Sequence, residues 1–447
     1  MTIIFYKKFI MKLFFKFSLI FFSILILSCK DENTDPPDPP PPIDPNEALM
    51  DTVQMQVFKF FWDDAVPSSG MIRDRNGASY VTSGGSGFGM MAILVGIERG
   101  FITRQQGLER ITKMVNFCET ADRFHGAWPH WLNGVTGKTI PFSQFDDGGD
   151  LVETALLIQG MLTAQAYFSG SSPEETGLRD KIQVLWEGVE WDWYRNGWQD
   201  VLYWHWSPNY GWKMNMRITG WDEALIVYVL AAASPTHTIT PAVYEKGWAR
   251  NGAIKNGNVY EGLELPLGEP YGGPLFFAHY SFLGLNPNGL SDQYADYMLQ
   301  NTNQSLINYK YCVSNPGGYT GYSDSCWGLT ASDDPDGYSA HSPTNDNGTI
   351  SPTAALSSIV YSPIQSLRAM NYFYGALENK VVGSRGPYDA FNQSRNWYTN
   401  SYLAIDQGPI IIMIENYRSG LLWNNFMKNT EVQQGLNKLG FNFTPGK

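Results

Sequence analysis

Phe145-Asp-Asp-Gly-Gly-Asp-Leu-Val-Glu153 runs straight into Thr154-Ala-Leu-Leu-Ile-Gln-Gly-Met-Leu-Thr-Ala-Gln-Ala-Tyr-Phe168. A Gly-Gly turn, an aspartate and then an apolar run too long for a strand predict a helix over 150–168. The same spacing predicts helices over 47–63, 87–99, 104–121, 221–233, 292–309, 353–376 and 409–427, and few segments alternate as strands do. Thr103 with Gln106, and Thr219 with Asp222, carry the offset of capping boxes or their near relatives. The fold class is therefore all-α.

The connections are uneven. Long loops rich in Gly, Trp and Tyr span 64–86, 122–149, 194–220 and 310–352, and loops of that length are usually functional. Within one of them, Val201–Trp206 and Gly211–Met216 predict a small β-hairpin around Ser207-Pro-Asn-Tyr210. About twelve helices with long loops gathered on one side suit an (α/α)6 toroid of helix pairs, although a plain bundle or irregular array would give the same local pattern. No repeat of solenoid length is visible.

The 447 residues are 17% charged and 43% hydrophobic, enough for a large core. Aromatics reach 15%, with 15 Trp, 25 Tyr and 25 Phe, to be divided between core and binding surface. The formal charge of −12 becomes −16 without the four lysines of residues 1–28. Nucleic acid is then a poor partner, because phosphate binding needs a basic stripe. The same acidity disfavours a polyanionic sugar and favours a neutral ligand.

Lys7, Lys8, Lys12 and Lys16 precede the apolar stretch Phe17–Leu27, the order of an export signal. Ile26-Leu-Ser-Cys29 resembles a lipobox, which makes Cys29 the expected lipidated residue, with an uncleaved anchor as the alternative. Lys30-Asp-Glu32 and seven prolines between Pro36 and Pro45 read as an acidic, extended spacer. The expected organisation is a lipoprotein signal peptide over 1–28, a Pro-rich linker over 29–46 and one helical domain over 47–447. The expected location is the cell envelope, lipid-anchored to the outer membrane on its periplasmic or surface face, as a monomer touching the membrane only through lipid. In such a compartment Cys312 and Cys326, which bracket a Gly, Ser and Tyr loop, are candidates for a disulfide, whereas Cys118 reads as a buried helical thiol.

Asp146, Asp150 and Glu153 are spaced by four and three, so a helix starting near Asp150 puts Asp150 and Glu153 on one face. Capping explains one or two acids at a helix start but not a cluster. Thr219-Gly-Trp221-Asp222-Glu223 repeats the arrangement, with Asp222 the better cap and Glu223 free. Aromatic loops precede both clusters: Trp128-Pro-His130-Trp131 before the first, and Trp204-His205-Trp206 with Trp212 and Trp221 around the second. A single Trp is more often core. Recurrence in polar loops points to stacking on the apolar faces of sugar rings, with acids and His binding hydroxyls. Asp406, in Asp406-Gln-Gly-Pro409, either lines the site or pairs with a base. No dinucleotide, Walker or zinc pattern occurs, so neither cofactor nor metal is expected.

Thr82-Ser-Gly-Gly-Ser-Gly-Phe-Gly-Met90, Phe124-His-Gly-Ala-Trp-Pro-His-Trp131, Asp146-Asp-Gly-Gly-Asp-Leu-Val-Glu-Thr-Ala155, Cys326-Trp-Gly-Leu-Thr-Ala-Ser332 and Ile405-Asp-Gln-Gly-Pro-Ile410 together resemble the glucoamylase-like domain of glycoside hydrolase family 144. The resemblance spans most of 50–430. It implies an (α/α)6 toroid, a β-1,2-glucan or sophoro-oligosaccharide substrate and hydrolysis with inversion, and by motif position it makes Asp146, Asp150, Glu153 and Glu223 the functional acids. Inversion needs an acid and an opposed base roughly 6.5–9.5 Å apart. Glu153 or Glu223 is the expected acid, and Asp146 or Asp150 the expected base. Two other readings share the signal and the aromatics: a glycan-binding lipoprotein without catalysis, and a polysaccharide lyase, whose acidic substrates fit the charge poorly.

Overall fold

The computed structural model describes residues 45–446, so the expected signal peptide, Cys29 and all but the last residues of the linker lie outside the described residues. The helices are α1 (Pro45–Asp63), α2 (Ser83–Glu98), α3 (Arg104–Thr120), α4 (Leu151–Tyr167), α5 (Pro173–Glu187), α6 (Leu225–Ala233) and the single turn α7 (Pro241–Val243). They continue with α8 (Tyr297–Ser314), α9 (Pro352–Leu356), α10 (Pro363–Tyr374), α11 (Glu378–Val381), α12 (Ala404–Arg418), α13 (Leu421–Phe426) and α14 (Thr430–Leu439). Among the described residues no helix is long and apolar enough to cross a membrane.

A helix that is apolar all round must be buried on all sides. α4 and α6 are such helices, and with α2 and α12 they form most of an inner ring. α2 packs on α4, α4 on α6, and α6 on the 3-10 turn Tyr280–Leu283. That turn is tied to the next inner segment, α9 and the 3-10 turn Ser357–Val360, by His279 Nε2 to Ser358 Oγ at 3.1 Å and by the Tyr361 hydroxyl donating to Ala278 O at 2.8 Å. α9 and its 3-10 extension pack on α12, and α12 returns to α2. Outside lie α1 on α2 and α12, α3 on α2, α5 on α4, α14 on α6, α8 on the 3-10 turn Leu275–Ala278, and α10 on α9. This is the expected (α/α)6 toroid, with 3-10 turns making up one inner position and extending another.

The α2–α4 contact is made by glycines. A Cβ on Gly87 would lie 2.2 Å from Leu156 O, and one on Gly160 2.3 Å from Gly87 O. The Gly-rich segment 84–89 thus belongs inside α2, which begins four residues earlier than the spacing predicts, because its missing side chains let two helices touch backbone to backbone.

Short strands hold the loops. β1 (Tyr80–Thr82), β2 (Trp131–Asn133) and β3 (Thr139–Ile140) form one sheet. β4 (Gly149–Asp150) pairs antiparallel with β5 (His205–Trp206), setting Asp150 opposite His205. The hairpin expected around Ser207–Tyr210 forms only in part: Ser207 and Gly211 exchange backbone bonds and Trp204 N donates to Met216 O at 2.9 Å, but the strand His205–Trp206 is taken by β4. The Thr103–Gln106 capping box is present. The second expected box is not. Asp222 Oδ1 accepts from Ala224 N at 2.8 Å, and this turn delays the helix start to Leu225.

Candidate active site

Asp150 is the N-cap of α4 and has no exposed surface. Its Oδ1 accepts from the backbone N–H of Val152 at 3.0 Å and Glu153 at 2.9 Å. Its Oδ2 faces His130 Nδ1 at 3.2 Å and His205 Nε2 at 3.5 Å, and the same His205 nitrogen lies 3.1 Å from Asp146 Oδ2. Glu153, one turn in, accepts at Oε2 from Thr82 Oγ1 at 2.7 Å and from Gly84 N at 2.6 Å, and its Oε1 lies 4.0 Å from His130 Nε2. Thr82 is the N-cap of α2, but its hydroxyl serves Glu153 rather than its own helix. Two helix starts therefore hold one carboxylate.

Burial alone would raise Asp150, but hydrogen bonds from His130 and His205 and their positive charge hold it well below the usual carboxylate range. Burial opposes the charged form of both histidines, yet the carboxylates win and each is raised to about 9: His130 by Glu153 and Asp150, His205 by Asp146 and Asp150. Glu153 moves upward, because burial and the Asp150 charge outweigh His130 and the bonds it accepts. Glu223 is pushed well above the carboxylate range by desolvation and by the charge of Asp222, Asp150 and Glu153. Its protonated form is favoured.

Glu153 and Glu223 meet in a cavity of about 270 Å³. Trp204, His130, Asp74, Phe276, Tyr280 and Tyr338 complete much of its wall. The Glu223 peptide is fixed by the Ser281 hydroxyl, which donates to its carbonyl and accepts from Ile226 N at 3.0 Å. Trp204 is placed by its own carbonyl, which accepts from Leu151 N at 2.8 Å.

The other expected site residues divide. Asp146 and His205 are buried behind Asp150 rather than facing the cavity. Trp131 stands at the edge, donating from Nε1 to Asp74 Oδ1 at 3.1 Å. Trp128 is core: it is fully buried, with Nε1 donating to Cys118 O at 3.2 Å. Trp221 is core too, its Nε1 donating to Gln304 Oε1 at 2.8 Å between Phe282 and Tyr297. Trp206 and Trp212 pack around Trp193 in a separate aromatic nest, at 5.2 and 4.9 Å. Asp406 is 2% exposed in the first turn of α12, and its carboxyl turns to Asp389, so it does not line the cavity. Cys312 and Cys326 are free buried thiols instead of a bridge: Cys312 points into the core from the last turn of α8, and Cys326 Sγ accepts from Gln393 Nε2 at 3.7 Å. Cys118 is the expected buried thiol.

Donor atoms of His130, Asp146 and Asp150 lie within 4.8 Å of one another, close enough for a metal ion. They do not fit one well, because two backbone N–H groups and two imidazoles already fill both Asp150 oxygens. Sequence reasoning missed Asp74, Phe276, Tyr280 and Tyr338. Asp74 sits in the charged Arg73-Asp-Arg75 of a long loop, the one signal that could have flagged it; the aromatics carry none.

The Glycoamylase family model matches residues 215–430. The chain is 55% identical to a solved endo-beta-1,2-glucanase from Chitinophaga pinensis in complex with sophorotriose and glucose, with a TM-score of 0.87 over 89% of this chain and 99% of that one. It is 44% identical over 420 residues to the exo beta-1,2-glucooligosaccharide sophorohydrolase (non-reducing end) of Parabacteroides distasonis, covering 88% of this chain but spanning 58% of that relative's length. An endo-beta-1,2-glucanase from Talaromyces funiculosus shares the fold at 11% identity and a TM-score of 0.61. The cavity with its two glutamates, set in an (α/α)6 toroid, and these likenesses agree: the chain belongs to the glucoamylase-like family, of the glycoside hydrolase family 144 type.

Proposed function

We propose that this protein hydrolyses β-1,2-linked glucan or sophoro-oligosaccharides with inversion, using Glu223 as general acid. One observation carries the reading: two glutamates from different helix starts share one Trp-walled cavity, and burial pushes one of them, Glu223, toward its protonated form. A protonated carboxyl can give its proton to the leaving oxygen as the bond breaks. The base that takes a proton from water comes from the other carboxyls on the cavity, Glu153 and Asp74. Asp150 is not that base, since its oxygens are occupied and unexposed; it sets the α4 start and aims His130. Trp204 offers a ring face to a sugar, and His130, held charged, offers N–H to a hydroxyl.

The test is incubation of purified protein with linear β-1,2-, β-1,3- and α-1,4-glucans and chain-length analysis of products, with the first-formed anomer read by proton NMR. Release from the first polymer alone, as the inverted anomer, supports the reading. Absence of release from it overturns the substrate. E223Q is expected to lose at least about 10²-fold in rate while still binding glucan, and the larger loss between E153Q and D74N identifies the base.

The export reading is part of the same proposal: removal of 1–28, acylation of Cys29 and a Pro-rich spacer holding a monomeric domain off the outer membrane. Radiolabelled palmitate incorporated by the wild type and not by C29A would support it; equal labelling would refute it.

A further inference from the structure

β4 and β5 are antiparallel, so the loop before β4, residues 141–148, and the loop after β5, residues 207–216, leave the same end of one ladder. They are fastened together. Asn209 Nδ2 donates to Asp147 Oδ2 at 2.7 Å, and Phe145 meets Tyr210 edge-on at 5.2 Å. Both loops border the cavity wall: Phe142 lies 4.3 Å from the His130 ring, and Met216 O accepts from Trp204 N. Yet they turn apolar side chains outward. Phe142 and Tyr210 are each 47% exposed, Met216 42% and Met214 36%. Scattered exposed apolar residues need no explanation, whereas a group on two joined loops at a cavity mouth marks a contact surface.

The cavity limits what can be enclosed. At about 270 Å³ it is below the range of pockets that engulf a drug-sized ligand, roughly 300–1,000 Å³. A longer saccharide must leave it and lie on the rim. We propose that Phe142, Phe145 and Tyr210, flanked by Met214 and Met216, form a platform on which glucosyl units beyond the cavity stack, so that this rim sets the preference for long chains over short ones. The proposal rests on the glucan reading above and adds the part of the site that reads chain length. The turn in which Phe142 N and Ser143 N both donate to Asp146 O holds Phe142 and Phe145 at its two ends, and the Ser207 hydroxyl, accepting from Asn209 N and Tyr210 N, shapes the opposing tip. A sugar ring presents flat C–H faces to such aromatics and loses little conformational freedom on binding.

The experiment measures kcat/KM for a sophoro-oligosaccharide of three units and for long β-1,2-glucan, in the wild type, Y210A, F142A and the double variant. The polymer-to-trisaccharide ratio should fall about tenfold in the double variant. A ratio within about twofold of wild type would overturn the platform. Gel retardation by immobilised β-1,2-glucan separates this from failure of the hydrolase reading. Should the wild type release no product yet be retarded in a way that Y210A with F142A abolishes, the platform stands and the hydrolysis falls. Retardation equal in wild type and double variant overturns the platform whatever the activity. Circular dichroism melting of each variant shows that the fold is kept.

Discussion

Replacing Gly84 by alanine tests whether the position of one carboxylate, rather than the integrity of the fold, sets the rate. A Cβ built on Gly84 lies 2.9 Å from Glu153 Oε2, 3.1 Å from its Cδ and 3.1 Å from Leu156 Cδ1. Ordinary carbon contacts begin near 3.5 Å, so the flexible carboxylate has to retreat by about 0.5 Å and its bond from Gly84 N lengthens. Alanine is the better helix former by about 1 kcal/mol, which offsets much of the crowding, and stability is expected to stay within about 1 kcal/mol of wild type. Because a displacement of about 1 Å can cost 10²-fold, half of that predicts a loss of about tenfold in kcat. Gly87→Ala is the control. Its Cβ would meet backbone, Leu156 O at 2.2 Å, which cannot swing aside, so α2 and α4 must part and about 3 kcal/mol of stability is lost. The assay pairs reducing-end release from a sophoro-oligosaccharide with thermal unfolding by circular dichroism. A Gly84→Ala protein that is folded and turns over at the wild-type rate would refute the role given to Glu153. Equal destabilisation by the two substitutions would refute the distinction between side-chain and backbone clash.

D150N keeps an N-cap but strips the charge that buried His205 and half-buried His130 face, and a loss of about 2–4 kcal/mol at neutral pH is expected from denaturant unfolding. Since the Asp150 value is depressed on folding, its contribution exists above the unfolded value and fades as pH falls through the folded one; the two histidines, raised to about 9, contribute below their unfolded value and lose it as pH climbs through 9. The gap between D150N and wild type should therefore narrow at both acid and alkaline ends. Asp389, raised to about 7 by burial and by Asp333 against Asp406, has the opposite sign: it stabilises most below its unfolded value and less as pH rises toward 7. D389N should gain about 2–4 kcal/mol relative to wild type between pH 4 and 8, and a pH-independent difference would count against a shared proton in that pair. Dithiothreitol should leave the melting temperature unchanged, because a bridge between Cys312 and Cys326 would contribute about 3 kcal/mol for a loop of that length and none is present.

What the sequence reveals depends on whether a residue's fate is set locally. α4 is legible because its apolar run and its cap lie within the same few residues. That Asp150 and Glu153 share one face of the helix start follows from the same offset. Trp128 and Trp131 show the limit. They are three residues apart in one motif, but Trp128 N donates to Thr154 Oγ1 at 2.9 Å and its buried ring reaches Cys118 O of α3, whereas Trp131 opens β2 and reaches Asp74. Nothing local separates them. α5 and α14 are absent from the expected helices although Leu178, Ile182 and Leu185 in one, and Val432, Leu436 and Leu439 in the other, recur at helical spacing. The inner position at Leu275–Leu283 has no helical period at all, since it is made of 3-10 turns.

The division of labour among the acids follows from which cations and dipoles each one meets. His130 and His205, both raised to about 9, stand against Asp150, and His205 also against Asp146. Glu153 draws on the remainder of His130 and on Thr82 and Gly84. Glu223 is raised first by desolvation and then by the charge of Asp222, Asp150 and Glu153 around it. The upward shift of Glu223 is thus set first by its own burial and by its neighbour Asp222, with Asp150 and Glu153 at the start of α4 adding to it.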